Sequence, residues 1–239
     1  AQNILDQIYV RLPLLLFGAV EDAEGLTIDE LLDNAVIDDE SWKEFMPPKF
    51  TKAMMRQIAH LIRVDALIAS TSMTIKTAKD ADMLPVEERA KVIAGLLATF
   101  HFPDKETILT PWRVVNMHLS HTIGGYDFFN DEHSALLEDP RYVEVPEVTS
   151  NIFWDENTRL LEINSKSGVY PLYLAYSLYR IQCEMSSVPL TPELREKIWE
   201  HVLNDNIFVI CKTEMAKKIT KWEPDDFELE MTTHWSFPK

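Results

Sequence analysis

A mainly α fold with a partial parallel α/β sheet in its C-terminal half is the class this sequence predicts. Three observations carry it. Apolar residues recur at helical spacing through most of the first hundred positions. Only 6 glycines occur in 239 residues, too few for an all-β fold built on tight turns. Residues 159–221 read strand, turn, helix, helix, strand, helix, the order of a parallel sheet with helical crossovers. The length suits one large domain or two small ones. A 46% hydrophobic share makes the chain globular.

The elements follow in order. Ile4, Leu5, Ile8 and Tyr9 form one helix face over residues 2–10, and Arg11-Leu12-Pro13 is expected to interrupt it. Leu14-Leu15-Leu16-Phe17 is a short buried run ending in a turn at Gly18. Thr27 with Glu30 three residues on is a capping box. Asp38-Asp39-Glu40 opens a short helix with Trp42, Phe45 and Met46, and Pro47-Pro48 stops it. Thr51 caps a long stretch to about Lys79, one bent helix or two. Pro85-Val86-Glu87-Glu88 starts the next, with proline near the first turn and acids favoured by the helix dipole. Thr110-Pro111-Trp112 opens a helix through about Ser120, which Gly124-Gly125 ends. Residues 126–150, rich in acids, aromatics and turn formers, read as a loop with a short helix. Residues 159–163 (RLLEI) make the clearest strand. Asn164 to Gly168 form a tight turn and Val169 to Met185 an amphipathic helix. Thr191-Pro192-Glu193 starts a helix to about Asn204. Asn206 to Cys211 is a second strand, and Thr213 caps a helix bearing Met215, Ala216 and Ile219.

Charge excludes some functions. There are 23 basic and 39 acidic residues, a net charge of −16. A uniformly basic nucleic-acid surface is therefore excluded, because phosphate binding needs Lys and Arg. The first fifty residues are the most acidic, and only residues 51–100 carry a basic excess, which also reads as a solvated helix face. No run approaches the roughly 18 apolar residues of a membrane helix, and no signal-peptide pattern opens the chain. Two cysteines, Cys183 and Cys211, build no disulfide framework, so a reducing, cytoplasmic setting is expected. Both read as buried small hydrophobes. The start at Ala1 and the end at Lys239 suggest a piece of a longer protein.

The candidate chemistry lies in two elements. In an open α/β sheet, ligands bind outside the carboxyl ends of the strands. Here that place is the turn Glu162-Ile163-Asn164-Ser165-Lys166-Ser167-Gly168, an acid, small polar residues and a glycine before a helix N-terminus with free N–H groups. A plain strand–helix turn has the same look. The second element is Ile108-Leu109-Thr110-Pro111-Trp112. The Thr110 hydroxyl either caps its own helix or bonds a ligand carboxylate.

Together these elements resemble the gamma class of adenine-N6 DNA methyltransferases, in which a Thr-Pro helix precedes a strand ending in an acid and a small-residue loop. The stretches ILTPWRVVNMHLS, LLEINSKSGVYPLYLAYSLYR and DNIFVICKTEMAKKIT are more specific. They resemble single-chain restriction–modification proteins that join a superfamily-2 helicase to such a methyltransferase. The DDESWKEFMP stretch resembles the connector after the helicase. The resemblance implies a helical connector over 1–107 and the front part of a Rossmann-like methyltransferase domain over 108–239. It implies S-adenosylmethionine as cofactor, with Thr110 and Pro111 on its methionine side, Glu162 as motif acid, and Asn164, Ser165 and Gly168 in the loop. DNA, the helicase and the rest of the methyltransferase domain are the implied partners.

The sequence departs from that pattern. Lys166 stands where the first loop glycine is expected, and its charge suits an anion. The second strand, ending Val209-Ile210-Cys211, lacks the acid that would hold the ribose; Glu214 follows three residues on. There is no Asn-Pro-Pro-Tyr, the motif that grips the flipped adenine, so the piece is expected to be inactive alone, carrying no catalytic residue. Nor is there a phosphate-binding lysine loop or a Gly-x-Ser-x-Gly elbow. His118 and His121 share a helix face without a carboxylate to complete a metal site. The DDFELE run reads as a solvated tail. The alternative is a non-enzymatic helical interaction module, followed by an acidic DNA mimic.

Overall fold

The structure is a computed structural model and describes residues 2–21, 23–100, 108–221 and 231–232. The mainly α class holds: eleven α-helices among the described residues surround two small sheets.

Helix α1 (Gln2–Ala19) runs straight through Pro13, where the sequence predicts a break. Proline in a helix interior costs about 3 kcal/mol. Ile8, Leu12, Leu14, Leu15 and Leu16 are all fully buried on α1, and each such side chain returns roughly 1.5–3 kcal/mol. Burial outweighs the lost hydrogen bond. α2 (Ile28–Leu31) carries the capping box: Glu30 N–H donates to Thr27 Oγ1 and Thr27 N–H to Glu30 Oε2. α3 (Asp39–Phe45) is capped by Asp38, and α4 (Lys52–Ile58) by Thr51. A 3-10 turn (Ala59–Leu61) separates α4 from α5 (Val64–Ala81). The long stretch is thus two helices, with a bend of 110°. α6 (Val86–Thr99) follows Pro85.

α7 (Trp112–Thr122) leads into an antiparallel hairpin, β1 (Gly125–Phe129) and β2 (Leu136–Val143), then α8 (Val148–Phe153). The stretch 126–150, expected as a loop with a short helix, holds that helix as α8 but also two strands. Every β1 residue is buried while β2 is largely exposed and holds Pro140, so neither shows the alternation that marks a half-buried strand. Buried Asp127 fixes the hairpin, with His133 Nε2 and Arg141 Nη2 each 3.0 Å from its Oδ2.

β3 (Leu160–Ser165), α9 (Val169–Met185), α10 (Pro192–His201), a π-turn (Val202–Asn206), β4 (Ile207–Cys211) and α11 (Glu214–Lys221) match the predicted order. β3 pairs with β4 in parallel, as the crossover rule requires. β4 pairs in parallel with β5 (Met231–Thr232), a strand not read from the sequence. The DDFELE run lies outside the described residues. Cys183 and Cys211 are free and buried.

One cluster of buried apolar residues runs from Ile8 to Ile219. Within it α1 meets α11 so closely that a Cβ on Gly18 would lie 2.5 Å from Ile219 Cγ1. Among the described residues no single helix is long and apolar enough to cross a membrane.

Candidate functional site

The turn after β3 is shaped by two left-handed residues. Asn164 has φ 68° and Gly168 has φ 70°. Asparagine and glycine tolerate that conformation best. The first permits a register irregularity between Ile163 and Ser165. The second turns the chain into α9 and is buried, so its backbone is the floor of the turn.

α7 delivers the other element. Its N-cap is Pro111, in extended geometry and without a side-chain cap bond. Thr110 therefore does not cap its own helix. It neighbours the phenol of Tyr170, in the first turn of α9. Burial, then the charge of Glu162, push the Tyr170 phenol above its usual value, and Thr110 opposes them. His118 of α7 packs edge-on to the same ring at 6.4 Å. Lys166 Nζ donates to the Ile108 carbonyl at 3.2 Å, tying the turn to the segment that leads into α7.

Glu162 projects from β3 into this group. Burial pushes its carboxyl up to about 7, and a hydrogen bond from Ser165 only partly offsets that. Its Oε2 is buried without a hydrogen-bond partner. Buried polar atoms are nearly always satisfied, so such an exception asks for an explanation.

Beside the turn lies a cavity of about 860 Å³. It sits at the carboxyl ends of β3 and β4, where Asn164, Lys166 and Lys212 line it together with Ile108. Its opposite wall is α3 and the Pro47–Thr51 loop, with Trp42, Met46 and Phe50 as apolar surface and Glu44 as a buried acid. The volume falls in the range of small-molecule sites, but nine of the sixteen lining residues are polar or charged, five of them lysines (Lys43, Lys49, Lys52, Lys166 and Lys212).

Of the sequence-predicted site residues only Asn164 lines the cavity; Thr110, Pro111, Glu162, Ser165 and Gly168 do not. Ser165 is buried, and its Oγ lies 3.2 Å from Thr220 Oγ1, so it also holds β3 to α11. Glu214 does not line the cavity; it is exposed and faces Lys217 at 4.0 Å. Tyr170 and Glu44 were not anticipated. Tyr170 sits two residues past Gly168 and is marked by no motif, and Glu44 reaches the site only through the tertiary fold.

Other candidates are explained by packing. Burial pushes the Cys211 thiol up to about 11, which makes it a poor nucleophile. Among the described residues no group of three or more His, Cys, Asp and Glu is placed to hold a metal ion. In the basic stretch, Arg56 pairs with Asp29 and Arg89 with Glu196. No family model, no curated protein and no solved structure matches the chain.

Two buried carboxylate oxygens without partners, on Glu162 and Glu44, would accept from a cation or a hydroxyl. Lys166 lines the cavity and Thr110 does not.

Proposed function

We propose that this chain is the cofactor-binding side of an adenine-N6 DNA methyltransferase, joined to a helical connector in a cytoplasmic restriction–modification protein. The observation that carries the reading is a cavity at the carboxyl ends of two parallel strands, lined by Asn164 and Lys166 of the turn after β3. Thr110 and Pro111 come from one element and Glu162, Asn164 and Gly168 from another fifty residues on, and ligands bind at such strand ends in open α/β sheets. In this reading β3, β4 and β5 are the leading strands of a Rossmann-like sheet. S-adenosylmethionine supplies the transferable methyl group. Thr110 orients its amino-acid end and Glu162 faces its positive charge. The sequence has no Asn-Pro-Pro-Tyr, so the reading assigns binding, not methyl transfer, to these residues. DNA and a helicase are partners of the whole protein.

Titration calorimetry with S-adenosylmethionine tests it. Binding in the micromolar range, about −8 kcal/mol, is expected. Thr110→Ala should weaken it about tenfold by removing a hydrogen bond to a charged group. Gly168→Asp should abolish it, because a side chain strains a left-handed position at the turn. Silence from the intact chain at millimolar cofactor overturns the proposal and leaves the helical interaction module.

A further inference from the structure

The cavity concentrates positive charge in an acidic chain. The protein has 23 basic and 39 acidic residues, yet five lysines line this cavity against two acids, Asp39 and Glu44. Lys52 has a structural task. It is buried, donates to Asn34 Oδ1 and the Ile37 carbonyl, and lies 3.4 Å from Asp39 Oδ1. The other four differ. Lys43 belongs to α3 and Lys49 to the loop after it, whereas Lys166 and Lys212 follow the ends of β3 and β4. None of the four forms an ion pair among the described residues, and Lys166 donates to a neutral carbonyl, that of Ile108. Like charges brought together on a concave wall focus the local potential on an anion.

The backbone of Lys49 is an independent observation. It is left-handed, with φ 68°, a conformation that glycine adopts at less cost. The surrounding turn enforces it. Phe50 N–H donates to the Pro47 carbonyl at 2.9 Å, and the Phe50 carbonyl accepts from Trp42 Nε1 at 2.7 Å. Asn164, on the strand side of the cavity, is also left-handed at φ 68°. Backbone strain of this kind clusters at binding sites. A lysine held where a glycine would be relaxed points to a role for the side chain rather than for the turn.

The chemistry of the lining narrows the ligand. Lysine binds phosphate as a point charge, whereas planar carboxylate recognition favours arginine, and no arginine lines the cavity. With Lys52 and Asp39 paired, four lysines against Glu44 leave three positive charges. One phosphoryl group carries about −1.5 to −2 at neutral pH, so two of them match that charge. The aromatic residues of the wall, Trp42 and Phe50, are 3% and 6% exposed and stack on each other. They offer no open ring face to the bases of a nucleic acid.

We propose that the cavity binds a small diphosphate-bearing anion, held by Lys43 and Lys49 from the helical half and by Lys166 and Lys212 from the strand ends. The inference does not rest on the cofactor reading, because S-adenosylmethionine carries no phosphate.

Titration calorimetry of the full chain with inorganic pyrophosphate tests it. Micromolar affinity is expected at low salt, falling as ionic strength screens the lysines. Lys49→Gly relaxes the turn and removes the charge. It should leave Tm unchanged or higher and weaken binding about tenfold, the value of one hydrogen bond to a charged group. Lys212→Ala should weaken it by a similar factor. Lys76→Ala, at an exposed position on α5 that does not line the cavity, should leave it unchanged. Silence from the intact chain overturns the inference, as does intact affinity in Lys49→Gly and Lys212→Ala, or an equal loss in Lys76→Ala. Tighter binding of a short DNA duplex through the same lysines overturns it in favour of a nucleic-acid backbone. Titrating S-adenosylmethionine alongside separates the two readings: pyrophosphate binding alone supports this inference and sinks the cofactor reading, and cofactor binding alone does the reverse.

Discussion

Glu162 is a largely buried acid, and its ionisation carries a prediction. An exposed glutamate titrates near 4.5, whereas burial pushes Glu162 up to about 7. Between those values the folded chain keeps a proton that the unfolded chain has released, so stability falls as pH rises through this window and remains lower above it. The difference amounts to about 3 kcal/mol. Glu162→Gln should flatten the fall in Tm between pH 5 and 8 and make the protein more stable at pH 8; equal slopes in the two proteins would disprove the assignment. Ligand binding supplies a second readout. A sulfonium brought to Glu162 favours the carboxylate, so S-adenosylmethionine binding near pH 6.5 should release a proton. Calorimetry in two buffers of different ionisation heat measures it, and Glu162→Gln should abolish it. The sequence shows Glu162 as an acid ending a strand, but not its protonation. That follows from how deeply the side chain lies and from the missing partner of Oε2, both products of packing.

At the scale of elements, local signals were legible where the chain's own chemistry decides. Thr27, Asp38, Thr51, Thr191 and Thr213 all cap the helices their positions indicate. The parallel pairing of β3 and β4 followed from the strand–helix alternation. What was not legible is what tertiary burial decides. Pro13 passes as a helix breaker until its neighbours are seen sealed in the core, and β1 has no alternating pattern because both its faces are covered. The contact between α1 and α11 belongs to this second kind. Nothing near Gly18 marks it as an interface, yet a Cβ there would meet Ile219 at 2.5 Å and Met215 Sδ at 3.0 Å. Gly18→Val should therefore force the helices apart. Overpacking of this sort costs about 1–3 kcal/mol, a drop of roughly 2–4 °C in Tm per kcal/mol for a chain of this size. A Gly18→Val protein that melts with the intact one would show that α11 can yield without cost.

For the whole molecule, the division at residue 107 drawn from the sequence meets a single run of buried side chains. Ile8 and Leu15 of α1, Phe45 of α3 and Ile219 of α11 belong to one cluster, and Glu44 reaches across to Thr213. Two consequences follow from sharing a core. The helical half and the sheet half should unfold together, in one calorimetric transition whose measured and van't Hoff enthalpies agree. Leu15→Ala, far from the sheet in sequence, should lower that whole transition by about 2–5 kcal/mol rather than split it. A cofactor seated between α3 and the strand ends touches both halves, so S-adenosylmethionine at a hundred times its Kd should raise the same single transition by about 2.7 kcal/mol. Two separable transitions, of which the ligand moves only one, would mean that the halves fold independently and that the wall built by Trp42, Glu44 and Phe50 takes no part in binding. One transition that moves as a unit would tie the connector to the cofactor site thermodynamically, so that strain applied to α3 or α4 changes cofactor affinity and cofactor binding stiffens the connector by the same free energy.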